Sequence, residues 1–292
     1  MKVRVVKRKK KEHPLFYLFP TFFILGLLVV YPLINNFINS FTQGGVFPTT
    51  ANYTKLFQDR YFRSDLKNTF QWLIYTVPFE MFFGLLIAIL LNTKIRMKKL
   101  FRTIFIIPWV IPSVVVCIIW KWIYNADYGI LNYILQLLGL INKNQLWVSD
   151  PNQVLKCIAV VYVWKIAPFV MIMYLSGLQS ISEDIYESAR LDGANWLQQI
   201  CYITLPLLFP VMRSVILVSV IWSLNSFVYV YSISGGGPAR VSEIVQIFIY
   251  KTGIEQFNFE YSAAAANVFL ILVMVIAFVY ISMTEKRENE MS

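Results

Sequence analysis

Histidine is nearly missing from this chain, which has a single one, His13, in 292 residues. Chemistry built on histidine bases or histidine-held metals therefore has almost nothing to work with. Cysteine is scarce too. Cys117, Cys157 and Cys201 show neither metal-site spacing nor a pairing pattern, and the first two fall in or near apolar runs, where a thiol behaves as a small apolar group. Charge is thin, at 14% of residues against 58% apolar and 16% aromatic. That balance does not suit a soluble globule; it suits a chain that crosses a membrane repeatedly. No G-x-x-x-x-G-K-[ST] occurs, and Gly235-Gly236-Gly237-Pro238 has neither the Lys-Ser/Thr ending nor the helix entry of a phosphate loop. ATP hydrolysis by that route is excluded for this chain. Internal repeats and low-complexity linkers are also absent, which points to one membrane domain.

The charge that is present is mostly positive, with a net value of +10. Its placement argues against nucleic acid. Seven Lys/Arg fall in residues 1–14, and five more between Lys94 and Arg102, beside apolar runs. That is the positive-inside signature of cytoplasmic segments. Six runs have about the length needed to cross roughly 30 Å of hydrocarbon: 15–38, 69–91, 103–124, 154–178, 207–233 and 263–281. The first follows a charged region, as in a signal peptide, but it is too long and no small-residue cleavage site follows, so it is expected to stay as a span. Pro20 and Pro32 predict bends near its ends. Pro78, Pro108, Pro112 and Pro168 lie inside other runs, where neighbours can satisfy the freed carbonyls and hinges can form.

The expected organisation is a basic cytoplasmic tail (1–14), a six-span domain (15–284) and a short cytoplasmic tail (285–292) containing Lys286-Arg287. Lys55, Arg60, Arg63 and Lys67 weaken the charge contrast in the first outer loop. Parity, rather than charge, places the loop at 179–206 on the cytoplasmic side. Ser180 and Glu183 form a capping-box pattern there, and Glu183, Asp184 and Glu187 crowd the first turns of a short helix. Gly193 interrupts it. A second amphipathic piece carries Trp196, Leu197, Ile200 and Ile203 at helical spacing, and Pro206 fits the first turn of the next span. The apolar face needs a cover, either a docking protein or the lipid headgroups.

Polar groups inside the spans are the other candidates. Glu80 and Lys165 sit mid-way along the second and fourth runs, where ionisable residues are expensive and pair or line a pathway. They are expected to face one another or a common watery cavity, as a locking pair or as part of a route. In the fifth run Ser219, Trp222, Ser223 and Ser226 recur at i, i+3, i+4, i+7, with Asn225 and Tyr229 beside them. Hydroxyl, amide and indole groups suit a sugar, whereas serines alone suit close helix packing. Tyr162 and Phe169 flank Lys165 as companions from the fourth run. Trp72, Trp109, Trp120, Trp122 and Tyr124 are read as interface anchors.

Glu187-Ser188-Ala189, three residues, Gly193, nine residues, then Ile203-x-Leu205-Pro206 resembles the EAA loop of permease subunits in ABC importers. Tyr186 and Asp192-Gly193-Ala194 fit the same pattern; Ser188 replaces the usual Ala. The likeness covers nearly the whole chain and is strongest to the carbohydrate-uptake, maltose-permease-like group, without an extra outer domain. Tyr17-Leu18-Phe19-Pro20 with Tyr31-Pro32-Leu33, Asn52-Tyr53 with Leu56-Phe57 and Asn68-Thr69, Phe101-Arg102 with Pro108-Trp109, Trp164-Lys165-x-x-Pro168 and Gly236-Gly237-Pro238 occur in the group's order. Glu80 departs from it.

The resemblance implies an all-α integral membrane fold of the type I ABC importer permease kind, with six transmembrane helices and a cytoplasmic coupling-helix loop. It implies a transport subunit of a bacterial cytoplasmic membrane rather than an enzyme. Tyr186, Glu187, Ser188, Ala189, Asp192, Gly193 and Ala194 would couple to an ATPase. Tyr162, Lys165, Phe169, Ser219, Trp222, Ser223, Asn225 and Ser226 would line the substrate pathway. Implied partners are a second six-span permease, two copies of an ABC ATPase, an extracytoplasmic solute-binding protein and membrane lipid. No nucleic acid, metal or cofactor is expected on this chain; ATP and Mg belong to the ATPase. The solute is a sugar or oligosaccharide, with glycerol phosphate or an anionic glycan as alternatives that Lys165 would suit. The competing reading is a self-sufficient secondary transporter or channel using Glu80 and Lys165.

Overall fold

The computed structural model describes residues 14–93 and 96–291. The basic tail up to His13, together with Lys94, Ile95 and Ser292, lies outside the described residues. Every regular element among the described residues is helical, apart from one bridge between Gln43 and Val46.

The first crossing is α1 (Pro14–Leu25), which passes through a π turn at Gly26–Val30 into α2 (Tyr31–Ser40). No residue of its apolar window is buried among the described residues. Its α2 end is moored to α14, where the Asn36 amide donates to Asn267 Oδ1 (2.8 Å) and Asn267 donates back to Ser40 Oγ (2.8 Å). After α3 (Ala51–Gln58), the Asp59 carboxylate accepts from the Tyr61 backbone N–H (2.7 Å) and starts α4 (Arg60–Asn92). At about 1.5 Å per residue this 33-residue helix overshoots the hydrocarbon.

The third predicted run is not one helix. α5 (Lys98–Val110) and α6 (Ser113–Ile123) meet at 95°. Pro112 has no N–H to continue the ladder, and its ring holds Ile111 in an extended conformation (φ −65°, ψ 134°). The expectation of a continuous span over 103–124 is corrected on this ground. Counting the bent pair as one crossing gives six; the unbroken helices alone give five. A short helix, α7 (Ile130–Leu137), follows it.

At the centre stands α8 (Val154–Gln179), buried on nearly every side and thus apolar all round rather than striped. Gly84 lets α4 press against it. A Cβ there would lie 2.5 Å from Val170 Cγ1, so only glycine permits this approach.

Beyond α8 come α9 (Glu183–Leu191) and α10 (Trp196–Gln199). The latter runs through a π turn at Ile200–Thr204 directly into α11 (Leu205–Leu224), making a single apolar helix of 29 residues. The second amphipathic piece of the loop is therefore the start of the fifth span, not a separate unit. That span ends sooner than expected, at a break over Asn225–Ser226, and α12 (Phe227–Ser234) continues it. After α13 (Val245–Tyr250), the last helix, α14 (Phe259–Met291), is longer than the predicted run 263–281. Residues 285–291, expected as a separate tail, extend it.

Candidate coupling site and translocation face

The loop between α8 and α11 is built by local turn chemistry. Ser182, not Ser180, caps α9, its hydroxyl accepting from Asp184 N–H (3.3 Å). Ser180 Oγ instead donates back to the Gly177 carbonyl (2.7 Å), because Ser180 still terminates α8. Gly193 adopts φ +85°, and the Ala194 N–H reaches back to the Ala189 carbonyl (2.9 Å), closing a Schellman-type end. The capping box foreseen at Ser180 and Glu183 occurs instead at α10. There Asn195 Oδ1 accepts from Gln198 N–H (3.0 Å), and Gln198 Oε1 accepts from Asn195 N–H (2.8 Å).

These caps present a specific surface. Glu187, Ser188, Asp192 and Gly193 are exposed, and Ala189 and Ala194 are half-buried beside them. Tyr186 points the other way, its hydroxyl meeting Thr204 Oγ1 at 3.0 Å and so tying α9 to the root of α11. Around the turn, Leu191 (89% exposed), Tyr202 (78%) and Leu197 (63%) stand open. Apolar exposure of this size on a capped turn needs a cover, from a partner or from lipid headgroups. Leu191 and Tyr202 escaped the sequence reading because neither completes an amphipathic stripe.

The intramembrane candidates separate into two groups. Lys165 does not pair with Glu80. Its ammonium donates to the carbonyls of Trp109 and Ile111 (2.6 Å to the latter), the acceptors freed by the break between α5 and α6. A charged donor from α8 thus closes the account left open by Pro112 in α5–α6. Glu80 is fully buried, and its carboxyl oxygens have no hydrogen-bond partner among the described residues; Ser219 is its neighbour across from α11.

The predicted stripe on the fifth span also splits. Ser219, Ser223 and Ser226 are buried against the bundle. Ser223 joins Thr76 through their hydroxyls (2.6 Å), and its carbonyl accepts from the Trp72 indole (3.0 Å). Tyr162 is buried among them, ring to ring with Trp72 (5.4 Å) and Tyr229 (5.0 Å). Trp222 and Asn225 emerge on the open side instead. The Trp222 ring lies 4.5 Å from Phe169, which lies 5.8 Å from Trp109, so three spans contribute to one aromatic ladder. Trp109, read from sequence as an interface anchor, belongs to this ladder. Trp72 is core rather than anchor, as is Tyr124, whose hydroxyl donates to the Cys157 carbonyl (3.0 Å). Trp120 packs against Tyr124 and Trp164, while Trp122 stays exposed as predicted.

At the end of the bundle away from the loop, the Gly236-Gly237-Pro238 segment is pinned by ions that the sequence did not reveal. Arg240 binds Glu243 (2.8 Å), reaches Asp65 (3.5 Å) and stacks over Tyr61, and Lys251 meets Glu243 (3.4 Å).

Apolar crossings packed around the buried α8, with a capped, exposed turn at one end, define a multi-pass membrane subunit. The chain belongs to the binding-protein-dependent transport system inner membrane component family, whose sequence model matches residues 80–288. It is 32% identical over 279 residues to a probable ABC transporter permease protein of Pyrococcus horikoshii, covering 94% of this chain and 96% of that one. It is 31% identical to a sulfoquinovosyl glycerol transport system permease protein of Agrobacterium fabrum, covering 92% and 89% of the two chains. To a trehalose/maltose transport system permease protein of Thermococcus litoralis it is 30% identical, covering 93% of each. Its fold matches a chain of a bacterial ABC transporter that imports the acidic polysaccharide alginate, with TM-score 0.85 at 24% identity over 94% and 95% of the two chains. The fold is thus that of an ABC importer permease.

Proposed function

We propose that this chain forms half of the pathway of an ATP-driven sugar importer, whose motor is a separate ATPase gripping the α9–α10 turn. The single observation that carries this reading is the unbroken helix from Trp196 to Leu224. It joins the docking turn at one end to Trp222, on the open aromatic ladder, near the other. A displacement of the turn therefore reaches the candidate solute face along one continuous helix. A second permease would complete the pathway and cover the exposed first crossing. An outer binding protein would deliver solute at the Gly236–Pro238 end, and both termini and the turn would face the cytoplasm. Motor closure favours one arrangement of the helices only if the turn is held differently in the two motor states.

A sugar is supported by the chemistry of the open face and by the named substrates of the Agrobacterium and Thermococcus relatives. Indole and phenyl faces take the C–H side of a pyranose, and the exposed Asn225 amide takes hydroxyls. With the complete complex in proteoliposomes, Trp222→Ala is expected to lower sugar uptake about tenfold, the equivalent of about 1.4 kcal/mol of lost contact. Uptake unchanged by that substitution counts against the ladder as the solute face.

The self-sufficient secondary transporter makes a different demand. Glu80 has no ion partner among the described residues, so Glu80→Gln removes no salt bridge there, and uptake by the complex is expected to stay within about twofold. Abolished uptake would favour a carboxylate-coupled mechanism.

A further inference from the structure

Behind the α9–α10 turn lies a cavity of about 470 Å³, walled by helix ends on one side and by the turn on the other. Asn92 and Gln179, at the ends of α4 and α8, form one wall. Tyr186 and Arg190 on the inward face of α9, with Trp196 and Gln199 of α10, form the other. Glu187 and Leu191 are not among its lining, so this space is on the side of α9 away from the docking surface. The volume suits a small ligand. The Asn92 and Gln179 amides carry no hydrogen bond among the described residues, Glu183 lines the same space, and Trp196 is 58% exposed. Uncommitted amides, a guanidinium and an indole plate on one concave wall match a polyhydroxylated ring, hydroxyls to the amides and C–H face to the indole.

We propose that this cavity is a second carbohydrate site, through which imported sugar at the motor side slows further uptake. The proposal rests on the reading of the chain as part of a sugar importer. A ring bridging both walls holds α9 against the ends of α4 and α8. A ligand that favours one seat of α9 on those helix ends opposes a stroke that changes it.

The test uses the whole complex in proteoliposomes with its motors facing the bath, and with binding protein and labelled sugar in the lumen. ATP in the bath drives the label outward. Unlabelled transported sugar in the bath is expected to lower the initial rate about fivefold or more at saturation. The double variant Asn92→Ala/Gln179→Ala should keep the uninhibited rate and lose this inhibition; if it assembles poorly, Gln179→Leu replaces it with the same expected result. Equal inhibition of variant and wild type, as from product rebinding in the pathway, overturns the proposal. A complex that moves sugar but ignores sugar in the bath defeats this proposal alone, whereas one that moves no sugar defeats the importer reading and this proposal with it.

Discussion

Gly193→Val is expected to cut sugar uptake by the assembled complex at least tenfold and to weaken co-purification of the ATPase, with the spans still folded. Gly193 sits at φ +85°, where a side chain is strained by about 1–2 kcal/mol and a β-branched one by more. No neighbouring atom lies within 4 Å of the position a Cβ would take, so the penalty comes from the backbone rather than from crowding. Relief of that strain unwinds the turn, breaks the bond from Ala194 N–H to the Ala189 carbonyl and changes the angle between α9 and α10. Gly193→Ala should lie between. Uptake in proteoliposomes and ATPase retention on a tagged permease are the measurements. A valine variant with wild-type uptake would show that the turn's shape does not carry the coupling.

Lys165→Met is expected to have the second-largest effect. It leaves the Trp109 and Ile111 carbonyls without their donor in a dry setting, at about 1–3 kcal/mol each. The bend between α5 and α6 loses its tie to α8, and Trp109 loses its place against Phe169. Thermal unfolding of the purified complex should shift down by several degrees, and uptake should fall more than the residual folded fraction explains. Lys165→Arg, which keeps donors and charge, should recover part of both. If Lys165→Met melted like wild type, the ammonium would not be what braces the break.

The turn was legible in the sequence because its determinants are local. Gly193 requires its own backbone angle, and the polar caps lie within a few residues of the groups they satisfy. Even so, the box at Ser180 and Glu183 proved to be a single cap at Ser182, because α8 runs to Gln179 and Ser180 serves as its C-cap. The broken third crossing was half legible. Pro108 and Pro112 announced a hinge, but the ammonium that meets its freed carbonyls, Lys165, is 54 residues from Ile111 in the chain. Glu80 and Lys165 looked like a pair by depth alone; the carbonyls freed by proline made the stronger claim on the ammonium. The serine stripe failed for a geometric reason. Periodicity shows which residues share a face, not what the face meets, and here α4 covers the serines while Trp222 turns outward. Trp109, Leu191 and Tyr202 could be assigned only once the helices were in place.

The most direct measurement compares labelled-sugar uptake into proteoliposomes holding both permeases and the binding protein, with and without the ATPase and ATP. The account predicts uptake only when motor and nucleotide are both present, and its loss on Gly193→Val. Sustained uptake without them, driven by a solute or ion gradient alone, would contradict it.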